Sequence, residues 1–175
     1  MVFKALWAWT LSHKAMTALI LAAGLIITAG GGYLYWTSFA AIQLDESLSA
    51  ESVIHRSGVC KDGDIGHECE GNVSIVEDNG SWMLYFEDYD ATDGPDVWFY
   101  MTVEGHEGDT DDVEEDGLLI LVPQTMEDSE GRAEVEGTFL VPLPDDFDLN
   151  AWDGLSVWCE DYNILMGSVS FSDVD

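Results

Sequence analysis

Three cysteines carry the most chemistry in this chain, and their spacing sorts them into a pair and a single. Cys60 and Cys69 lie close together and bracket a short polar segment that contains His67. Cys159 stands alone at the end of the apolar run 155–159, with Glu160 and Asp161 directly after it. The thiolate is the form of cysteine that attacks, ligates metals and exchanges disulfides, so the surroundings of each sulfur decide its use. For the pair, the simplest chemistry outside the cytoplasm is a disulfide. Closing so short a loop is worth roughly 2.5–3 kcal/mol in the chain-entropy picture. Zinc held with help from His67 is the alternative, but the gap between the cysteines is longer than that of the usual zinc motifs.

Cys159 has two readings. Strand alternation puts Leu155, Val157 and Cys159 on one face and Ser156, Trp158 and Glu160 on the other, so the thiol shares the face of the apolar residues. A buried thiol has a raised pKa and is inert unless a cation or metal lowers it; the neighbouring acids Glu160 and Asp161 raise it further. It is then packing material. The second reading is a redox thiol or a cofactor ligand, which is what an unpaired cysteine in an exported domain invites. Iron ligation needs a second donor, and the candidates are Met166, Met101, His67 and His106. Core packing is the ordinary explanation for both methionines. No C-x-x-C-H is present, so covalent c-type haem is excluded.

Other site chemistries find little to build on. The acidic stretch 109–117 carries carboxylates for calcium, but Val113 interrupts the EF-hand spacing, and a solvated loop is the simpler reading. No Ser/His/Asp order, phosphate loop or H-E-x-x-H helix appears, so hydrolase, transferase and nucleotide-binding readings have no support.

The elements that must position these residues follow from charge and hydropathy. The chain of 175 residues carries 35 acids against five Lys and Arg, a net charge of −30. Residues 1–36 hold Lys4 and Lys14 and no acid; residues 37–175 hold Arg56, Lys61 and Arg132 against every acid. Seven Trp, seven Phe and six Tyr nevertheless supply a core. Spread acid with little lysine reads as adaptation to high salt, where the Debye length falls to about 3 Å and self-repulsion is screened. Nucleic acid is excluded as a partner, because phosphate contacts need Lys and Arg.

Residues 15–36 contain no charge, enough to span a hydrocarbon core of about 30 Å as a helix. Trp7, Trp9, Tyr33, Tyr35 and Trp36 flank the run as interfacial belts do. The positive-inside rule puts residues 1–14 in the cytoplasm and the acidic part outside. A cleaved signal peptide ending at Ser38-Phe39-Ala40 is the competing reading, and in both the domain is exported. Residues 37–59 then form an acidic tether and 60–175 the domain.

From residue 72 the pattern is β. Asn79-Gly80 marks a hairpin, the turn 93–96 leads into strand 97–103, and that strand is apolar on both faces, so it is covered on both sides. Acidic loops at 104–117 and 127–131 separate strands 118–122 and 133–141, Pro142 and Pro144 stop the latter, and a bend at 160–161 joins the last two strands. Many short strands punctuated by Gly, Pro and Asp predict a mainly β fold, an antiparallel sandwich or barrel.

Four blocks in this order resemble one family. Gly66 and His67 with Gly71, Val73 and Ile75 resemble its opening strand; Asp93, Gly94, Pro95 and Asp96 with the apolar strand after them resemble its core. The stretch from Gly137 to Pro142 resembles its proline-ended strand, and Val157, Trp158 and Cys159 with Tyr162, Ile164, Gly167 and Val169 resemble its closing segment. The family is the DM-thirteen domain, and the similarity covers 65–171. The resemblance implies an extracytoplasmic β-rich domain with a redox or electron-transfer role through the cysteine that Cys159 matches, acting as a bare thiol or as ligand to a prosthetic group such as haem. Cys159, Met166 and His67 are then the cofactor-binding candidates. Met166 stands where the family pattern has an aromatic. The expectation is a membrane-anchored outer domain with a redox partner protein in the envelope. The alternative is a non-enzymatic interaction or adhesion module with Cys159 in its core.

Overall fold

A computed structural model describes residues 41–103, 106 and 110–174. The predicted span 15–36, the segment 1–14 and residues 104–105 and 107–109 of the first acidic loop lie outside the described residues. Among the described residues no helix is long and apolar enough to cross a membrane.

The strongest local instruction, Asn79-Gly80, turns β4 (Cys69–Asp78) back into β5 (Ser81–Ala91). Both turn residues take left-handed φ, 50° and 81°, as a two-residue hairpin requires. Around this hairpin grows a six-stranded sheet in the order β1-β8-β5-β4-β2-β11. Its other members are β1 (Ile42–Asp45), β2 (Val53–Val59), β8 (Val135–Pro142) and β11 (Ser172–Asp173). A five-stranded sheet faces it, in the order β3-β10-β9-β6-β7. Those strands are β3 (Lys61–Asp62), β6 (Val97–Thr102), β7 (Leu118–Ile120), β9 (Gly154–Cys159) and β10 (Ile164–Ser170).

The two sheets meet over an apolar core. Phe86 of β5 stacks on Phe99 of β6 with centroids 4.8 Å apart and on Phe139 of β8 at 4.5 Å, while Tyr89 meets all three rings edge-on. Such rings contribute about 0.5–1.5 kcal/mol per pair beyond the area they bury. Strand β9 is buried along its whole length and β6 nearly so, so both have cover on two faces as predicted for 97–103.

Three expectations need correction. Neither sheet closes, so the barrel half of the prediction falls away and the architecture is mainly β with open edges. Pairing is not uniformly antiparallel: β1 runs parallel to β8, with Ile42 opposite Val135. The two are far apart in sequence, and no tight turn dictates their direction. Loop 104–117 is not all loop, because residues Thr110–Asp116 form α1, which sets Val113 into a cluster with Tyr100 and Trp158. One apolar residue supplies the burial that holds a short helix here. In the second acidic loop a 3-10 turn (Pro123–Thr125) leads into α2 (Met126–Ser129).

Strands β1 and β2 lie within the segment 37–59 expected as a tether. After β1, the Glu46 backbone N–H donates to Thr138 O at 2.7 Å and its carboxylate accepts from Leu140 N at 2.8 Å and Gln124 Nε2 at 3.1 Å.

Candidate functional site around Cys159

Cys60, just past β2, and Cys69, opening β4, form a disulfide with Cα atoms 5.5 Å apart. The bond removes the zinc alternative. Both cysteines are buried, and β10 passes directly over them. A Cβ at Gly167 would lie 2.6 Å from Cys69 Cβ and 2.7 Å from its Sγ, so only glycine fits at that crossing. Among the described residues no group of three or more His, Cys, Asp or Glu is arranged to hold a metal ion.

Cys159 is the free cysteine among the described residues and is 2 % exposed. Its side chain joins Leu155 and Val157 in the inner core while Trp158 joins the outer cluster, as period-2 alternation predicts. In the sheet it lies opposite Val97 on one side and Ile164 on the other.

The turn 93–96 closes over the sulfur. A Cβ on Gly94 would lie 2.7 Å from Val97 Cγ2, 3.4 Å from Met166 Cε and 3.9 Å from Cys159 Sγ. The absent side chain at Gly94 is what spares the turn a clash with Val97, while Met166 and Cys159 lie at ordinary contact range from the same point. Burial pushes the Cys159 thiol up; backbone hydrogen bonds from Tyr162 and Asp96 pull it the other way, and the charges of Asp96 and Asp161 push it up again. Burial dominates, so the resting form is the neutral thiol. Glu160 takes no part in this balance, because its carboxylate accepts a short hydrogen bond from Tyr100 Oη on the opposite face.

Arg132 fastens the turn. Its Nη1 donates to Pro95 O at 3.0 Å, its Nε pairs with Asp96 Oδ1 at 3.1 Å, and its guanidinium sits 5.7 Å from the Trp98 ring centroid. Trp98 Nε1 donates to the same Asp96 oxygen at 3.1 Å. Sequence reasoning missed this role, although Arg132 is one of only three cations in residues 37–175. An isolated cation in so acidic a chain is the signal that pointed to it.

Of the predicted second donors, only Met166 is placed beside Cys159. It sits at the β-bulge of β10, between Leu165 and Gly167, and its methyl meets Gly94. Met101 lies opposite Leu155, four residues and so about 13 Å along the strand from Cys159. His106 lies beyond the far end of β6, its N–H on Val103 O. His67 lies in the turn after β3, its N–H on Asp64 O, with Nδ1 buried and unpartnered.

Haem does not fit these residues. The sulfur is buried in the apolar core on a strand that pairs with Val97 and Ile164, and the cavity lined by Gly94, Val97 and Ala133 measures about 10 Å³, room for one water at most. Tyr89 also lines that cavity, and its hydroxyl is buried without a partner. Beside it, burial first and then the charges of Glu136, Asp90 and Glu134 raise the Asp93 carboxyl.

Blocks distant in sequence thus meet at one sulfur: turn 93–96, strand β9 and bulge 165–167. A family model described as electron transfer DM13 matches residues 63–171, a stretch that contains all of them. No curated protein and no solved structure matches the chain.

Proposed function

This chain belongs to the electron transfer DM13 family, and on that premise we propose that it is an electron-transfer domain on the outer face of a membrane, with Cys159 as its redox centre. The observation that carries the reading is the meeting at Cys159 Sγ of backbone hydrogen bonds from Tyr162 and Asp96, with the Gly94 turn and Met166 close by. Backbone donors aimed at sulfur favour loss of the thiol proton, and they are fixed in place before any reaction. At 2 % exposure the thiol is closed to a partner's cysteine, so exchange proceeds by single electrons through the fold and not through a mixed disulfide. Cys159 gives one electron to the oxidised partner and its S–H proton to a neighbouring carboxylate, Asp96 or Asp161, leaving a thiyl radical that the returning electron and proton restore to the thiol.

Several features support the wider setting. The Cys60–Cys69 disulfide suits an oxidising compartment. The uncharged run 15–36, with Lys4 and Lys14 and no acid before it and every acid after it, suits an anchor with the domain outside. Spread acids with little lysine suit a high-salt milieu. The partner is a redox protein of the same envelope.

Stopped-flow electron exchange between the full chain in detergent, at high salt, and a soluble one-electron mediator tests this reading. Cys159→Ser is expected to abolish the exchange. Unchanged exchange would overturn it and leave the second reading, an interaction or adhesion module in which Cys159 is core packing. Burial and the raised thiol pKa are what favour that second reading.

A further inference from the structure

The outer face of the five-stranded sheet carries three aromatic residues, and each places its polar atom on a carboxylate. Trp98 Nε1 donates to Asp96 at 3.1 Å, Trp158 Nε1 donates to Glu114 of α1 at 2.9 Å, and Tyr100 Oη donates to Glu160. Trp98 and Trp158 are directly opposite in the β6–β9 register, which puts their Cβ atoms roughly 4.5–5.5 Å apart. Tyr100 joins Trp158 and Val113 in one buried cluster against which Trp98 packs. Exposure falls from the half-buried Trp98 to Tyr100 at 6 % and Trp158 at 2 %.

Packing alone asks for rings here, not for three carboxylates. None of the three carboxylates is buried, Glu114 being exposed and Asp96 and Glu160 half-buried, yet each accepts the polar hydrogen of a ring. Such a bond also changes the ring. It adds electron density to the indole or phenol, and for a phenol it supplies the base that takes the proton on oxidation. Trp158 directly precedes Cys159, so the cluster backs onto the strand that holds the thiol. Arg132 over Trp98 places positive charge on that ring and makes it the hardest of the three to oxidise. An electron vacancy therefore settles on the Trp158–Tyr100 side.

We propose that Trp98, Trp158 and Tyr100 form an aromatic relay that carries single electrons between the Cys159 strand and the surface, with Glu160 as the proton acceptor of Tyr100. The inference deepens the electron-transfer reading and rests on it. In the oxidising step Tyr100 gives one electron, by way of Trp158 and the half-buried Trp98, to a one-electron acceptor at the surface such as an oxidised metal centre. Its O–H bond breaks, an O–H bond forms on Glu160, and a neutral phenoxyl radical remains. Return of one electron returns the proton to Tyr100. Besides Glu160, the charged groups facing the phenol are Glu114 and Asp96.

Flash oxidation of the full chain by a photogenerated ruthenium(III) polypyridyl complex, read by transient absorption and electron paramagnetic resonance, tests the relay. Tyr162 is 64 % exposed and gives a competing surface radical, so Tyr162→Phe serves as the background. On that background a long-lived tyrosyl radical is expected; Tyr100→Phe should abolish it, and Trp158→Phe should slow its formation. Glu160→Gln keeps the packing and removes the base, and should slow radical formation about a hundredfold. A radical that survives Tyr100→Phe, or a rate unmoved by Glu160→Gln, overturns the relay. Mediator exchange unchanged in Cys159→Ser overturns the Cys159 reading instead, and a Tyr100 radical that still forms in that variant supports the relay.

Discussion

The two faces of strands β6 and β9 are built from the same two stretches of chain and do opposite things with polarity. The inner face shields: Val97, Val157 and Cys159 lie in a core of aromatic and aliphatic side chains, and the sulfur meets backbone hydrogen bonds from Tyr162 and Asp96. The outer face pairs: Trp98, Tyr100 and Trp158 each hand a hydrogen to an acid. A side-chain period of two keeps these environments within one residue of each other, and a one-residue slip of register would exchange them. Shielding keeps the thiol neutral, whereas pairing gives each ring a fixed acceptor. The turn 93–96 serves both faces, since Gly94 packs on Cys159 and Asp96 holds Trp98 and Arg132.

The largest effect is expected inside. Phe99→Ala removes the ring that joins the two sheets through Phe86 and should cost about 3–5 kcal/mol in chemical unfolding at constant high salt. A loss under about 1 kcal/mol would mean that the inner face is less tightly packed than its burial implies. Replacing Cys60 and Cys69 together by alanine should cost about 2–4 kcal/mol while leaving the outer face intact. The fluorescence of the outer tryptophans is the check, and a shift in it would contradict the independence of the two faces.

Arg132→Met should separate the turn from Trp98. A loss of about 1.5–3 kcal/mol is expected from its charged hydrogen bond to Pro95 and its ion pair with Asp96, with Cys159 alkylated at least about tenfold faster as the cover loosens. Unchanged alkylation would show that Gly94 covers the sulfur without help.

Tyr89→Phe should have the smallest effect at neutral pH, within about 1 kcal/mol, because the hydroxyl it removes has no partner among the described residues. Its effect grows in alkali. Burial first, then Asp90 and Asp93, raises the Tyr89 phenol above its ordinary value of 10.0. The stability held by the neutral phenol is thus fully present below pH 10 and is lost as pH rises toward the higher folded value. The phenylalanine variant should show a shallower alkaline decline, measured by unfolding at a series of pH values.

Much of the inner face was legible in the sequence and little of the outer. Alternation alone put Cys159 inward with Leu155 and Val157, Asn79-Gly80 announced its hairpin, and two nearby cysteines announced their bond. These are local signals, carried by neighbours in sequence. Two of the three pairs on the outer face join residues far apart in the chain, Trp158 with Glu114 and Tyr100 with Glu160. In a chain with 35 acids no single carboxylate stands out as a partner. Strand β1 escaped for a similar reason: four residues in a polar, acidic stretch become a strand only because β8 offers an edge. Helix α1 has one buried apolar residue and so no periodicity to detect.

Voltammetry of the full chain beside Cys159→Ser, both in detergent at high salt, tests the central claim most directly. A reversible one-electron wave in the wild-type protein that is missing from the serine variant is the predicted result. Superimposable traces from the two proteins would contradict it.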